Sequence, residues 1–250
     1  MTDMSHGASL RIEGISKNFG GLKVFSDLSF TMSPGEVLGV IGPNGAGKTT
    51  LINVLSGRLA PSGGQILLGS RSVGGMPAHI LSRMGLVRSF QHVNTFKRAT
   101  VRENLARAIR FGESPSSIWE RIEALLCQFN LAPYLDETSD KLPYGLQKML
   151  GLLLTYAVRP KVLLLDEPAA GLERRERTQI DTFVRTTQID HGCSVLIVEH
   201  DLDLIRRLCP RILVLDAGYM LAQGTPAEVL ARRDVIEAYL GVVDGEGAAV

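Results

Sequence analysis

Residues 9 to 33 carry short apolar bursts, L-R-I, V-F and L-S-F, separated by F-G-G and polar turns, and this alternation predicts antiparallel strands. Glu36 to Ile41, E-V-L-G-V-I, is a compact apolar run that ends at a glycine-rich loop. Thr49 to Leu59 then repeats with helical period and stops before Pro61. Q-I-L-L-G, 65 to 69, returns to strand. From about residue 92 to 158 the pattern is helical, clearest in W-E-R-I-E-A-L-L-C-Q-F. Val162–Leu165 and Ser194–Val198 read as two further buried strands, with a helix near Arg174–Thr187 between them. Strands that are apolar throughout and alternate with helices predict a parallel sheet covered on both faces, hence an α/β fold. Within the helical stretch, K-L-P-Y-G-L-Q-K-M, 141 to 149, predicts the start of a helix. Pro143 would sit early in it, and Leu146, Met149, Leu150 and Leu153 would form one buried stripe. No internal repeat is visible, and the tail from 241 to 250, ending G-E-G-A-A-V, is expected to fray.

Composition narrows the functional classes. At 250 residues the chain can bury a full core, as one large domain or one with an inserted lobe. With 27 basic and 26 acidic residues the net charge is +1, so bulk electrostatics do not point to nucleic acid. Cys127, Cys193 and Cys209 form no C-x-x-C pair and are expected to be buried, reduced thiols of a cytosolic compartment. The start, M-T-D-M-S-H-G, lacks the basic and apolar segments of a secretory signal. The longest apolar run, Met149 to Val158, is interrupted by Gly151 and Thr155. It falls short of the ~18–20 residues of a membrane-spanning helix, so a membrane role would be peripheral.

The chemistry concentrates in two places. G-P-N-G-A-G-K-T, Gly42 to Thr49, fits G-x-x-x-x-G-K-[ST] and lies between a buried strand and a helix. Gly42, Pro43, Asn44, Gly45, Ala46 and Gly47 would wrap backbone N–H groups around phosphates, helped by the helix N-terminus. Lys48 would reach the β- and γ-phosphates, and the Thr49 hydroxyl would ligate Mg²⁺. V-L-L-L-D-E, 162 to 167, is the natural second half. Asp166 at a strand's C-terminal end is placed to hold the Mg²⁺ shell, and Glu167 to orient or deprotonate an attacking water. His200 closes the strand S-V-L-I-V-E, and strand C-termini of a parallel sheet border the ligand crevice. Gln91, in R-S-F-Q, is by itself only a polar loop residue.

In order, these motifs together with L-P-Y-G-L, A-A-G-L-E and V-E-H-D resemble the ATP-binding subunit of ABC transporters over nearly the whole chain. F-G-G-L, G-P-N-G-A-G-K-T-T-L-I-N, R-S-F-Q, V-R-E-N, L-L-L-D-E-P-A-A-G, V-E-H-D and the terminal V-I-E-A-Y-L-G most resemble the branched-chain amino acid importer ATPases. Urea-type and lipopolysaccharide-export ATPases share several of these features. The resemblance implies a P-loop NTPase (RecA-like) parallel-sheet core, an N-terminal antiparallel β subdomain and a helical subdomain inserted at 92–158.

It further implies that Phe19 stacks on adenine and that Thr50 touches phosphate beside Thr49. Gln91 would link Mg²⁺ to the helical lobe, where the family docks its membrane partner. Residues 170 to 173 would form the D-loop. The 141–149 stretch, with Gly145, would take the place of the L-S-G-G-Q signature facing ATP on a second subunit. Expected ligands are ATP and Mg²⁺. Expected partners are transmembrane permease subunits, a second ATPase that is a paralogue or another copy, and indirectly a substrate-binding protein; the chain itself would sit peripherally at the cytoplasmic face of the cell's inner membrane. The sequence departs from the family pattern in three places. Pro143 replaces Ser, Leu146 replaces Gln, and Glu173 replaces Asp or Asn. Pro143 offers neither hydroxyl nor N–H, so two phosphate donors are missing.

Overall fold

A computed structural model describes residues 8–89, 95–112 and 117–240. The chain begins with an antiparallel hairpin, β1 (Leu10–Phe19) and β2 (Leu22–Met32), joined at Gly20-Gly21 with Phe19 facing Leu22. Its alternation has a physical destination: Leu10, Ile12, Ile15, Phe25, Leu28, Phe30 and Met32 are all buried. β3 (Val37–Ile41) follows, buried along its whole length, then the glycine loop and α1 (Lys48–Leu55). β4 (Gly63–Leu68) and the two-residue β5 (Arg71–Ser72) complete a four-stranded antiparallel sheet in the order β2-β1-β4-β5.

The chain then runs through α2 (Ala78–Arg83), β6 (Leu86–Arg88), α3 (Val101–Phe111), α4 (Ile118–Gln128) and α5 (Tyr144–Ala157). β7 (Val162–Asp166), α6 (Arg174–His191), β8 (Ser194–Val198), α7 (Leu202–Leu208), β9 (Arg211–Asp216), β10 (Tyr219–Gly224), α8 (Pro226–Leu230) and α9 (Arg233–Leu240) finish it. The second sheet has the order β10-β9-β3-β8-β7-β6, parallel except for β10.

Because side chains alternate across a strand, each buried strand feeds two cores. Leu38, Val40, Leu164, Leu196, Val198, Leu213 and Leu215 face α1 and the antiparallel sheet. Val37, Ile41, Leu163, Leu165, Val195, Ile197, Ile212 and Val214 face a core built with α3 to α7. Each fully buried aliphatic side chain is worth about 1.5–3 kcal/mol relative to exposure. That double burial is why these strands are apolar throughout.

Several sequence expectations change. The helix expected to reach Leu59 ends at Leu55. Gly57 adopts φ +70, and a Cβ there would lie 2.3 Å from the Met76 carbonyl oxygen, so the chain turns before the periodic residues run out. The expected helical stretch from 92 includes non-helical chain: its first described helix, α3, starts at Val101, capped by a reciprocal Thr100–Glu103 box. Pro143 is the N-cap of α5 and not part of its first turn. Met149, Leu150 and Leu153 are buried as expected, whereas Leu146 is half-buried and packs at the edge of the core. Cys193 and Cys209 are buried, their thiols pushed up by desolvation, Cys209 to about 12. Cys127 is exposed, on the face of α4 away from Leu125 and Leu126, which corrects the expectation of three buried thiols. The tail expected to fray, 241–250, lies outside the described residues.

Candidate active site

The glycine loop joins β3 to α1, and its geometry leaves no room for side chains at its base. Gly42 has φ +150, and a Cβ there would fall 2.0 Å from the Leu215 carbonyl oxygen on β9. Pro43 is half-buried, Asn44 and Gly45 exposed, and Ala46 buried beneath the loop. Gly47 is the N-cap of α1 and lies against Val24 and Phe25 of β2. Lys48 bends back over this loop. Its ammonium donates to the carbonyls of Gly42 at 2.7 Å and Pro43 at 2.9 Å. Burial lowers its pKa, opposed by the charge of Glu167. Thr49 is exposed and Thr50 half-buried in the first turn of α1.

The parallel register brings the acid-bearing strand ends to the same edge of the sheet. Asp166 pairs in register with Val198, so the residues that follow them emerge side by side. Asp166 is 2% exposed and forms an ion pair of 2.7 Å with Arg88 of β6. Arg88 also donates to Asn53 at 2.6 Å and to Ser56 at 3.1 Å, both at the end of α1. Its own pKa is lowered by burial against the support of Asp166. Glu167 stands at φ +47, its N–H held by the Val198 carbonyl at 2.8 Å and its carboxylate 3.2 Å from Nε2 of His200. The buried Glu199 ties this edge together. One oxygen accepts the Ala169 N–H at 2.7 Å and the other the His200 N–H at 2.9 Å.

The structure thus brings Lys48, Asp166, Glu167 and His200 to the C-terminal edge of the parallel sheet. Phe19 lies at the hairpin tip, 47% exposed, with the Lys17 ammonium 4.8 Å from its ring centre. Gln91 lies outside the described residues. Gly145, in the first turn of α5, is buried, and a Cβ on it would sit 1.8 Å from a carboxylate oxygen of Glu176. Gly171 at φ +73 lies against the Tyr144 ring, and Glu173 is the N-cap of α6, its N–H bound by Glu176 at 2.9 Å. The 141–149 stretch and the 170–173 turn therefore abut within one chain.

The family model described as "ABC transporter" matches residues 25–170. The chain belongs to the ABC transporter ATP-binding cassette family. It is the ATPase subunit of such a transporter. A second model, "Branched-chain amino acid ATP-binding cassette transporter", matches residues 220–245. The high-affinity branched-chain amino acid transport ATP-binding protein LivG of Escherichia coli is 36% identical over 248 residues, covering 93% of this chain and 97% of LivG. BraF of Pseudomonas aeruginosa, with the same description, is 35% identical with the same coverage. The lipopolysaccharide export system ATP-binding protein LptB of Haemophilus influenzae is 32% identical over 234 residues, covering 93% of this chain and 97% of LptB. Among solved structures, an ATP-binding cassette of an ABC transporter in its ADP conformation superposes with a TM-score of 0.82 at 30% identity, covering 94% of this chain and 99% of that one. The α/β cassette fold expected from the motifs is the fold observed.

Three site residues of this ABC cassette escape a motif reading. Arg88 and Glu199 sit inside quoted motifs, R-S-F-Q and V-E-H-D, yet each is a charged residue beside a buried strand with no role fixed by spacing. Lys148 carries no signal at all, because a lysine in a helix normally reads as solvated.

Proposed function

We propose that this ATPase subunit powers uptake of branched-chain or other hydrophobic amino acids through permease subunits, bound at the cytoplasmic face of the membrane. The observation that carries the catalytic part is the convergence of Lys48, Asp166, Glu167 and His200 at one sheet edge beside the glycine loop. The match of the C-terminal segment to the branched-chain model, and the names of LivG and BraF, favour amino-acid import over the lipopolysaccharide export named for LptB.

In this reading the loop's N–H groups and the Lys48 ammonium hold the β- and γ-phosphates of ATP, with Thr50 beside them and Phe19 against adenine. Water attacks the γ-phosphorus. The new O–P bond forms as the bond to the β-phosphate oxygen breaks, giving ADP and phosphate, and Glu167 receives the proton. His200 keeps the Glu167 carboxylate aimed and offers a ring N–H toward the γ-phosphate. The donor set at the metal position fits Mg²⁺. Thr49 supplies a hydroxyl and Asp166 one carboxylate, and the described residues contain no cluster of three or more carboxylate, His or Cys ligands of the kind a dedicated protein cage needs. Bound Mg²⁺ would neutralise charge on the phosphates, held by Thr49, Asp166 and Gln91.

No helix among the described residues is long and apolar enough to cross a membrane, so coupling needs a docking surface. A groove of about 480 Å³ runs between β6, α2 and α3 on one side and α5 on the other. Phe96, Phe111, Leu86, Leu152, Lys148 and Glu167 are among its lining residues. An apolar groove that reaches Glu167 suits a permease segment whose seating reports on the ATP site.

The test is reconstitution. Membrane subunits that co-purify with the chain, placed in vesicles, should show ATP-driven uptake of labelled leucine or valine that a Lys48→Ala chain abolishes. ATP turnover without amino-acid uptake, or co-purification with lipopolysaccharide-export components, would overturn the import assignment.

A further inference from the structure

Lys148 lies in the second turn of α5, near the end of the 141–149 stretch, and is 6% exposed. Among the described residues no carboxylate stands within ion-pair distance of it. Its ammonium is instead surrounded by backbone oxygens of one turn: the carbonyls of Glu167 at 3.4 Å, Pro168 at 3.3 Å and Ala170, the last a short contact. Three donors meet three carbonyls, which matches the hydrogen-bonding capacity of an ammonium. Desolvation lowers its pKa, opposed by the charges of Glu199 and Glu167.

A buried cation without an ionic partner is unfavourable unless its hydrogen bonds are complete. The helix stem, with Met149 and Leu152 as neighbours, would accept an apolar side chain more readily. The charge therefore needs a reason, and the turn it holds supplies one. Glu167 is a non-glycine residue at φ +47, a conformation that persists only where the surroundings impose it. Its N–H is fixed to the Val198 carbonyl on β8, and its own carbonyl is fixed to Lys148. The peptide planes on both sides of Glu167 are clamped, one by the sheet and one by α5. The same helix presents Tyr144 against Gly171 and Gly145 against Glu176.

We propose that Lys148 is a positioning residue for ATP hydrolysis, clamping the turn from Glu167 to Ala170 so that the orientation of Glu167 follows the seating of α5. This rests on the reading of Glu167 as the base and of the 141–149 stretch as the surface facing the second subunit's ATP. On that reading one ammonium links a chain's own hydrolytic residue to the helix it offers its partner. Loss of the link frees Glu167 to relax from φ +47, which carries its carboxylate away from His200. The glycine loop that binds the phosphates is untouched by Lys148.

The experiment compares wild type, Lys148→Met, Lys148→Gln and Glu167→Gln in the assembled transporter. It measures Mg-ATP affinity, kcat and KM for ATP hydrolysis, and melting temperature. For Lys148→Met, affinity and KM should stay within about twofold while kcat falls about ten- to hundredfold, the scale expected when a reacting group is displaced by about 1 Å. Lys148→Gln keeps two donors for the same carbonyls and should recover part of that loss. If Lys148→Met does not fold, Lys148→Gln decides the matter, with kcat lowered at unchanged affinity. A kcat within twofold of wild type in both variants, or affinity and kcat lost in equal measure, overturns the proposal. Glu167→Gln separates the two failures. If it hydrolyses ATP normally, the underlying reading of Glu167 falls. If it is inactive while the Lys148 variants are normal, only the role of Lys148 falls.

Discussion

Lys48 directs its ammonium at the carbonyls of Gly42 and Pro43, so phosphate oxygens arriving in the loop compete with neutral acceptors for a cation already aimed there. Lys48→Ala removes a charge-assisted contact worth about 1.5–3 kcal/mol. Mg-ATP affinity measured by calorimetry should fall roughly ten- to hundredfold. Glu167→Gln behaves differently. The amide keeps the size and a partner for His200 but cannot take a proton. ATP should bind as before and turnover should drop by about a hundredfold or more, the usual contribution of a positioned base. Turnover at the wild-type rate would instead move the role to His200. A third residue bears on pH. His191, at the end of α6, is buried against the Tyr156 ring at 4.4 Å, and burial lowers its pKa from 6.5 to about 4. Its folded pKa is depressed, so the unfolded chain takes up the proton first as pH falls. The contribution to stability is complete above about pH 6.5 and is lost as pH falls toward 4. Between pH 7 and 5 that is about 2 kcal/mol. Urea melts at the two pH values should show this difference in the wild type and a smaller one in His191→Phe.

Elements whose local chemistry agrees with their packing were legible in the sequence, and those decided by distant contacts were not. β3, β7 and β8 are apolar throughout because both faces are covered, so run length alone revealed them. β6 is three residues long and β10 mostly exposed, and neither carries a periodic signal. The site divides the same way. The glycine loop and D-E were readable because their spacing is dictated by phosphate geometry, whereas Arg88 reaches Asp166 across seventy-eight positions of chain through sheet pairing alone. The helical region shows what a hidden constraint is worth. Asn104 on α3 is 2% exposed and donates to the carbonyls of Phe96, Ala99 and Thr100 at 3.2, 3.2 and 2.9 Å, while accepting the Phe96 N–H at 2.8 Å. A sequence reading sees only a polar residue in an amphipathic helix. Asn104→Leu strands the Phe96 N–H, while the three carbonyls keep their backbone donors, the N–H groups of Ala99, Ser139 and residue 104 itself. The orphaned donor costs about 1–3 kcal/mol. Denaturant unfolding should register that loss, whereas Asn104→Asp, which still accepts the Phe96 N–H, should lose less of the turn's order.

At the scale of the whole molecule, the even charge gives no bulk field to drive association, which leaves it to shape and local contacts. The head-to-tail sandwich that the family resemblance implies would set this chain's glycine loop against its partner's signature, and Leu142–Leu146 against the partner's ATP. In α5 the N-cap is Pro143, which has no N–H or hydroxyl to offer, and Leu146 points its half-buried side chain toward the core edge. In that arrangement two phosphate donors would be missing from the surface presented to the partner, while Lys48, Asp166 and Glu167 of the chain's own site are present. Each absent charge-assisted hydrogen bond costs about 1.5–3 kcal/mol, or roughly ten- to hundredfold in closure or rate. Two copies of this chain would carry the defect at both sites. Pairing with a paralogue that has a complete signature would leave one full site, built on this chain's catalytic residues. We expect the native assembly to be such a heterodimer with unequal sites. The double variant Pro143→Ser/Leu146→Gln is a fair probe, because its stability terms oppose each other. A Ser N-cap gains about 1 kcal/mol, and replacing a half-buried leucine loses about 1 kcal/mol. The purified chain alone should hydrolyse ATP poorly, the double variant at least tenfold faster, and the unmodified chain should be rescued by its paralogue. Brisk ATPase activity in the unmodified chain alone, with no gain from Ser and Gln, would overturn the expectation of a heterodimer with unequal sites.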